Sequence, residues 1–176
     1  MAQIEIVGVR GGSGATAFTW LAANYLAKKH GAEVVVDAHD REALFAIAGL
    51  PSNEDMTYDS TTIVIPANIE GIYYSDICDA GLLVNYEKTP GAKTIGIMRP
   101  DYISCKTLIE HQDKLDRIIV QGPNNLTLTE WDVDNLTTVP VLGRTPWNDR
   151  IARCIDAGML LHRNFDMPIV DAMVTL

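Results

Sequence analysis

A chain of 176 residues, 47% hydrophobic and 21% charged, fits one globular domain over residues 1–176 with a sizeable core. Its net charge of −9 argues against a wholly electrostatic nucleic-acid binder, which needs clustered lysine and arginine. No apolar run approaches the roughly 18–20 residues of a membrane span, no export signal is visible, and Cys78, Cys105 and Cys154 form no CxxC pair, which points to a reducing, cytoplasmic setting.

The chain begins with an alternating β-branched run, Ile4, Ile6, Val7 and Val9, which predicts a buried first strand. A glycine-rich turn follows, Arg10-Gly11-Gly12-Ser13-Gly14-Ala15-Thr16. Ala17 to Lys29 then runs without a breaker, with Phe18, Leu21, Ala22, Tyr25 and Leu26 at helical spacing. His30-Gly31 ends that helix, and Val34-Val35-Val36 predicts a second buried strand ending on Asp37. Strand, glycine loop, helix, strand is a βαβ unit, and its loop sits where a phosphate-binding loop would sit. The glycines let consecutive backbone N–H groups turn inward as an anion nest, which needs no lysine.

Asp37-Ala38-His39-Asp40 follows the second strand, and Asp37 either works on metal or water or caps a helix over Arg41 to Ala48. Gly49-Leu50-Pro51 ends that helix and opens a polar, acidic loop over Ser52 to Ser60. Thr61 to Ile65 predicts a short strand that Pro66 ends or places on an edge, and Ile69 to Cys78 carries no assignment. Ala80 to Tyr86 predicts the next buried strand and Thr94 to Met98 another. A helix over Ser104 to Leu115 and a strand over Ile118 to Val120 come next, followed by the turn-forming Gln121 to Asn125. Thr129 caps a short helix, Val139 to Leu142 forms the last strand, a helix runs through Ile151, Cys154 and Ile155, and Pro168 starts a short terminal helix. Arg144, Arg150, Arg153 and Arg163 gather in the last third, with Arg150 and Arg153 on one helix face.

The glycine loop resembles the deviant Walker loop, Lys-Gly-Gly-x-Gly-Lys-Thr, of the ParA/MinD group of P-loop ATPases. Arg10 takes the place of the signature lysine, Gly11, Gly12 and Gly14 match, and Thr16 falls on the magnesium-binding hydroxyl. Ala15 stands where the phosphate-binding lysine belongs, as in the divergent CpaE-like branch. A second resemblance covers Val141 to Arg150, similar to the group's Val-Leu-Gly-x-Ile-Pro-x-Asp segment. The two anchors in the correct order imply an α/β domain with a mainly parallel sheet flanked by helices, the ParA/MinD-like P-loop NTPase fold.

The resemblance also implies a site. Arg10, Gly11, Gly12, Ser13, Gly14, Ala15, Thr16 and Ala17 would hold ATP or ADP, with Gln121 and Asn124 beside the base. Thr16 and Asp37 would serve Mg2+, Asp37 orienting water and Arg10 supplying a cation in cis or across a homodimer. His39 replaces the group's second aspartate and Asp40 its proline, and on this alignment Asn85 stands in place of the Walker B-like aspartate. The implied role is partition or positioning of low-copy DNA, such as a plasmid, or of cellular cargo. It brings weak adenine-nucleotide binding, slow or absent hydrolysis, an unidentified cargo adaptor and nonspecific DNA contact through the C-terminal arginines. The alternative, favoured by Ala15, His39 and Asn85, is a pseudo-ATPase acting as an interaction module.

Overall fold

The central strand β1 (Ile4–Gly8) is buried along its whole length, and its alternation sorts side chains to two faces. Ile4 and Ile6 enter one core with Ile77, Ile95, Ile97 and Ile119, whereas Val7 and Val9 enter a second with Met98, Ile118 and Val120. A strand buried on both faces reads as a continuous apolar run, which is the pattern of a parallel sheet covered by helices on both sides. The computed structural model describes residues 3–30, 34–38, 41–49, 62–65, 75–122, 128–146, 148–159 and 165–175.

In chain order the elements are β1, α1 (Ala15–His30), β2 (Val34–Ala38), α2 (Arg41–Ala48), β3 (Thr62–Ile65), β4 (Ser75–Leu82), β5 (Lys93–Met98), α3 (Tyr102–His111) with a 3-10 turn over Gln112–Lys114, β6 (Arg117–Gly122), α4 (Glu130–Leu136), β7 (Val141–Pro146), α5 (Asp149–Asp156) and α6 (Pro168–Val174). The described strands form one seven-stranded sheet in the order β3-β2-β4-β1-β5-β6-β7. All neighbours are parallel except β3, which runs antiparallel to β2 at the edge, next to Pro66 in sequence.

Helix α1 packs on the first face, over β1, β2 and β4, and touches α2 and α6. Phe18, Trp20, Leu21, Ala22, Ala23 and Leu26 are all buried, so α1 is an interior helix rather than an amphipathic surface one. Buried Thr19 turns its hydroxyl back to the carbonyl of Ala15 at 2.9 Å. Tyr25 and Lys29, at its far end, both bond the Asp171 carboxylate and so tie α6 to α1. On the second face α3 and α4 bury Cys105, Leu108 and Val133. Asp101 caps α3 and Thr129 caps α4 in a reciprocal capping box with Asp132.

Several expectations shift. The loop helix starts at Ala15, two residues earlier than predicted, and the Ser104–Leu115 helix becomes α3 plus a 3-10 turn, displaced toward its Asp101 cap. The last strand begins at Val141 and runs on through Pro146. The largest correction concerns the predicted strand Ala80–Tyr86: the strand is Ser75–Leu82, and the chain turns at Leu83–Asn85. Gly81 (φ +81) breaks the extended run, Leu83 N–H bonds the Gly8 carbonyl at 2.9 Å, and Asn85 N–H bonds that of Leu82 at 3.0 Å. His39, Asp40, the loop Ser52–Ser60, Asn124 and Arg163 lie outside the described residues.

Candidate functional site

Strand β1 delivers the loop at the C-terminal edge of the sheet, where the order turns outward on both sides of it. Val9 N–H still bonds the Ile97 carbonyl at 2.9 Å, and the chain leaves the sheet at Arg10. Ser13 N–H closes a turn onto the Arg10 carbonyl at 3.1 Å, and the Ser13 hydroxyl folds over Gly8, where a Cβ would meet it at 2.8 Å. Gly14 has φ +86, the left-handed region that favours glycine, and a Cβ there would lie 2.5 Å from the Nε2 at the movable end of Gln121. From Gly14 the chain enters α1, with Phe18 N–H on the Gly14 carbonyl at 2.9 Å. The first turn of α1 carries no acidic side chain, and its leading N–H groups have no partner within the helix, which is the electrostatic character of an anion site.

A cavity of about 480 Å³ opens over this loop. Arg10, Gly12, Ser13, Gly14, Ala15, Thr16 and Ala17 line it from below, Ala43 and Ile47 of α2 and Ile155 of α5 from the side, and Asp79, Gly81 and Leu82 from β4. The carboxylate at the loop is therefore that of Asp79, not a group at Asn85, which lies exposed in the turn beyond β4. Asp79 is buried, stands opposite Ile6 of β1 in register, and accepts a hydrogen bond from Gly81 N–H at 3.2 Å. The sequence signal for it was Asp79-Ala80-Gly81, a carboxylate two residues before a turn-forming glycine.

The other candidates divide. Arg10 lines the cavity, yet its guanidinium lies 3.9 Å from the Asp101 carboxylate on the α3 side. Ala15 is buried in the first core, leaving the loop without an ammonium at that position. Gln121, at the end of β6, lies against Gly14. The backbone of Asp37 in β2 is level with Cys78, one residue before Asp79, and its side chain is outside the described residues. Arg150 and Arg153 are exposed on α5, Arg150 over the Phe165 ring at 5.9 Å and Arg153 bonded to the Asp149 carbonyl.

The turn that follows Asp79 is anchored from below. Leu83 is buried, and Lys114 donates to the carbonyls of Leu83 and Tyr86 at 3.3 and 2.9 Å. The Tyr86 hydroxyl donates to the buried Glu5 carboxylate and shares a 2.9 Å hydrogen bond with Thr94. Burial and that carboxylate raise the Tyr86 pKa to about 12. No group of three or more potential His, Cys, Asp or Glu metal ligands occurs among the described residues. A hard cation at Thr16 and Asp79 would need oxygen ligands from a bound phosphate, as Mg2+ sites commonly take them.

Comparison with solved structures settles the architecture. The MinD cell division protein of Aquifex aeolicus superposes with a TM-score of 0.71 at 17% identity, covering 99% of this chain and 96% of that one. The chain has the MinD/ParA P-loop fold. A ParA family ATPase from Chlorobium tepidum matches at TM-score 0.66 and 14% identity over 98% of both chains. The septum site-determining protein MinD of Pyrococcus horikoshii, complexed with Mg-ADP, matches at 0.64 and 12% identity over 90% of this chain and 86% of that one. No protein-family model and no curated protein sequence matches the chain. Among the described residues no helix is long and apolar enough to cross a membrane.

Proposed function

We propose that this chain is a ParA/MinD-type positioning protein for DNA or another cellular cargo, and that its loop binds the phosphates of ATP or ADP with slow or absent hydrolysis. The observation that carries this reading is the glycine loop opening at the N-terminus of α1 into a cavity of about 480 Å³ with Asp79 on its wall. Residues Arg10 to Ala17 hold the phosphates, and Gln121 lies beside the base. Thr16 and Asp79 hold Mg2+ together with phosphate oxygens, with Asp37 contributing from β2. When bound, the cation neutralises charge on the transferring phosphoryl group.

Ala15 limits the chemistry. The missing ammonium removes a charge-assisted contact of roughly 1.5–3 kcal/mol, about one to two decades in affinity. Arg10 offers a replacement cation to its own site or to that of a second copy docked face to face. Tyr102 and Trp131, 78% and 71% exposed at the starts of α3 and α4, offer aromatic area to a cargo adaptor. Of the arginines expected at a DNA backbone contact, Arg150 and Arg153 are exposed and Arg144 is half-buried. The second reading, a pseudo-ATPase working as an interaction module, rests on Ala15 and His39 now that Asp79 occupies the wall where Asn85 was expected.

Equilibrium binding of a fluorescent ATP analogue, with and without Mg2+, to the native protein and to Ala15→Lys tests this. Weak, Mg2+-dependent binding that tightens by one to two decades in Ala15→Lys is expected. Binding only by Ala15→Lys would select the pseudo-ATPase reading, and binding by neither would overturn both.

A further inference from the structure

Two helix ends meet beside the glycine loop, and they meet backbone against backbone. α2 stops at Gly49 (φ +73) and α5 stops before Gly158 (φ +61), both in the left-handed region that favours glycine. A Cβ at Gly49 would lie 1.7 Å from the carbonyl oxygen of Gly158, and one at Gly158 would lie 2.9 Å from that of Ala46. Neither position admits a side chain while the helices keep this contact.

Under α5, a second cavity of only about 40 Å³ is bounded by Ala17, Gln121, Thr145, Asn148, Ile151 and Ala152. A water's share of liquid volume is about 30 Å³, so the space holds about one solvent molecule and no heterocycle. Yet Gln121 Oε1 and Thr145 Oγ1, on residues that line it, are buried without a hydrogen-bond partner. Buried polar atoms of a finished core are paired, so two orphans at one small cavity mark a place that a ligand or solvent completes. The element covering them is loosely built in. α5 contributes no fully buried residue, and only Ile151, Cys154 and Ile155 reach the margin of the core.

We propose that α5 is a lid over the base side of the loop, latched to α2 at Gly49 and Gly158. A ligand consisting of phosphates alone enters the open cavity above Gly11–Thr16 without moving it. A ligand whose base reaches Gln121 and Thr145 must lift α5, breaking the glycine contact. The identity of the ligand rests on the nucleotide-binding reading; the motion of the lid does not.

Hydrogen exchange on the ligand-free chain tests the motion. The amides of α5 should open as a unit at least tenfold faster than those of β1 and β6, and Gly158→Ala should speed α5 at least a further tenfold while leaving β1 unchanged. Should Gly158→Ala unfold the domain, Cys154→Ala, which trims one half-buried contact of α5 and lines neither cavity, carries the same expectation. Exchange of α5 in step with the sheet in native and variant chains overturns the lid. Stopped-flow binding then tests the gating: inorganic tripolyphosphate should associate alike with both chains, and a fluorescent ATP analogue at least tenfold faster with the variant. Equal ATP rates overturn the gate. Failure of both ligands to bind either chain would overturn the nucleotide reading and the gating with it, and exchange would still decide whether α5 moves.

Discussion

The Arg10 guanidinium lies 3.9 Å from the Asp101 carboxylate, joining the rim of the glycine loop to the N-terminus of α3. The two partners are not equivalent. Asp101 also accepts hydrogen bonds from the Ser104 N–H at 2.9 Å and the Ser104 hydroxyl at 3.0 Å, whereas Arg10 has only a half-exposed ion pair to lose. Arg10→Ala should change stability by less than about 1 kcal/mol, and Asp101→Ala should cost about 0.5–2 kcal/mol through the lost cap. Urea midpoints of the two variants check the order; equal losses would put the ion pair above the cap.

Gly14→Ala faces a backbone penalty and a smaller steric one, since the clashing Gln121 end can swing aside. The left-handed backbone costs an alanine about 1–2 kcal/mol, and the new Cβ also meets the Gln121 amide, 2.5 Å away. Adding Gln121→Ala should relieve the clash and leave the backbone term, so the double variant recovers only part of the loss. Full recovery in a denaturation cycle would mean that φ is not the constraint.

The Tyr86 hydroxyl gives the alkaline limb a definite sign. Its pKa rises from 10.0 to about 12 in the folded chain, chiefly through burial and then through the Glu5 hydrogen bond. The folded state thus holds this proton more tightly than the unfolded one. Its stabilising contribution is complete below pH 10 and is lost as pH climbs toward 12. Tyr86→Phe should be less stable at neutral pH by about 1.5–3 kcal/mol, because Glu5 loses a hydrogen bond to a buried charge. Between pH 10 and 12 its stability should fall less steeply than that of the native chain, as denaturation at stepped pH would show.

Removing Mg2+ with a chelator should weaken ATP-analogue binding to the native chain if Asp79 helps hold the cation. Asp79→Asn keeps the volume and the acceptor for Gly81 N–H while losing the charge. The variant should bind more weakly with Mg2+ and respond little to the chelator. A variant as Mg2+-sensitive as the native chain would remove Asp79 from the metal site.

Much of the fold was legible because its signals are local. The β-branched run of β1, the glycine loop, the boundaries of α2, the Thr129 cap and Pro168 at the start of α6 each announce themselves within a few residues. Strand β4 did not, although it lies between β1 and β2 in the sheet. Its own apolar run is interrupted by Asp76, Asp79 and Gly81, while the conspicuous Leu82-Leu83-Val84 extends into a turn that buries Leu83 and leaves Val84 54% exposed. Asp79, which puts this strand on the cavity wall, is one of the residues that hid it. The pairing of Gln121 with Gly14 was equally beyond local reading, since over a hundred positions separate the two in the chain and only the β1-β5-β6 order brings them together.

That strand order also bears on how the molecule is made. Ile4 of β1 is flanked by Ile77 on one side and Lys93 on the other, and neither β2 nor β3 is a neighbour of β1 in the sheet. Closing such long loops precedes any reward from pairing, which slows folding and leaves early chain segments unpartnered. A nascent chain that has emerged only as far as Ile65 carries the whole glycine motif with no neighbour for the strand that presents it. The glycine loop therefore leaves the ribosome ahead of the strands that flank β1, and acquires its shape only once β4 and β5 have followed it.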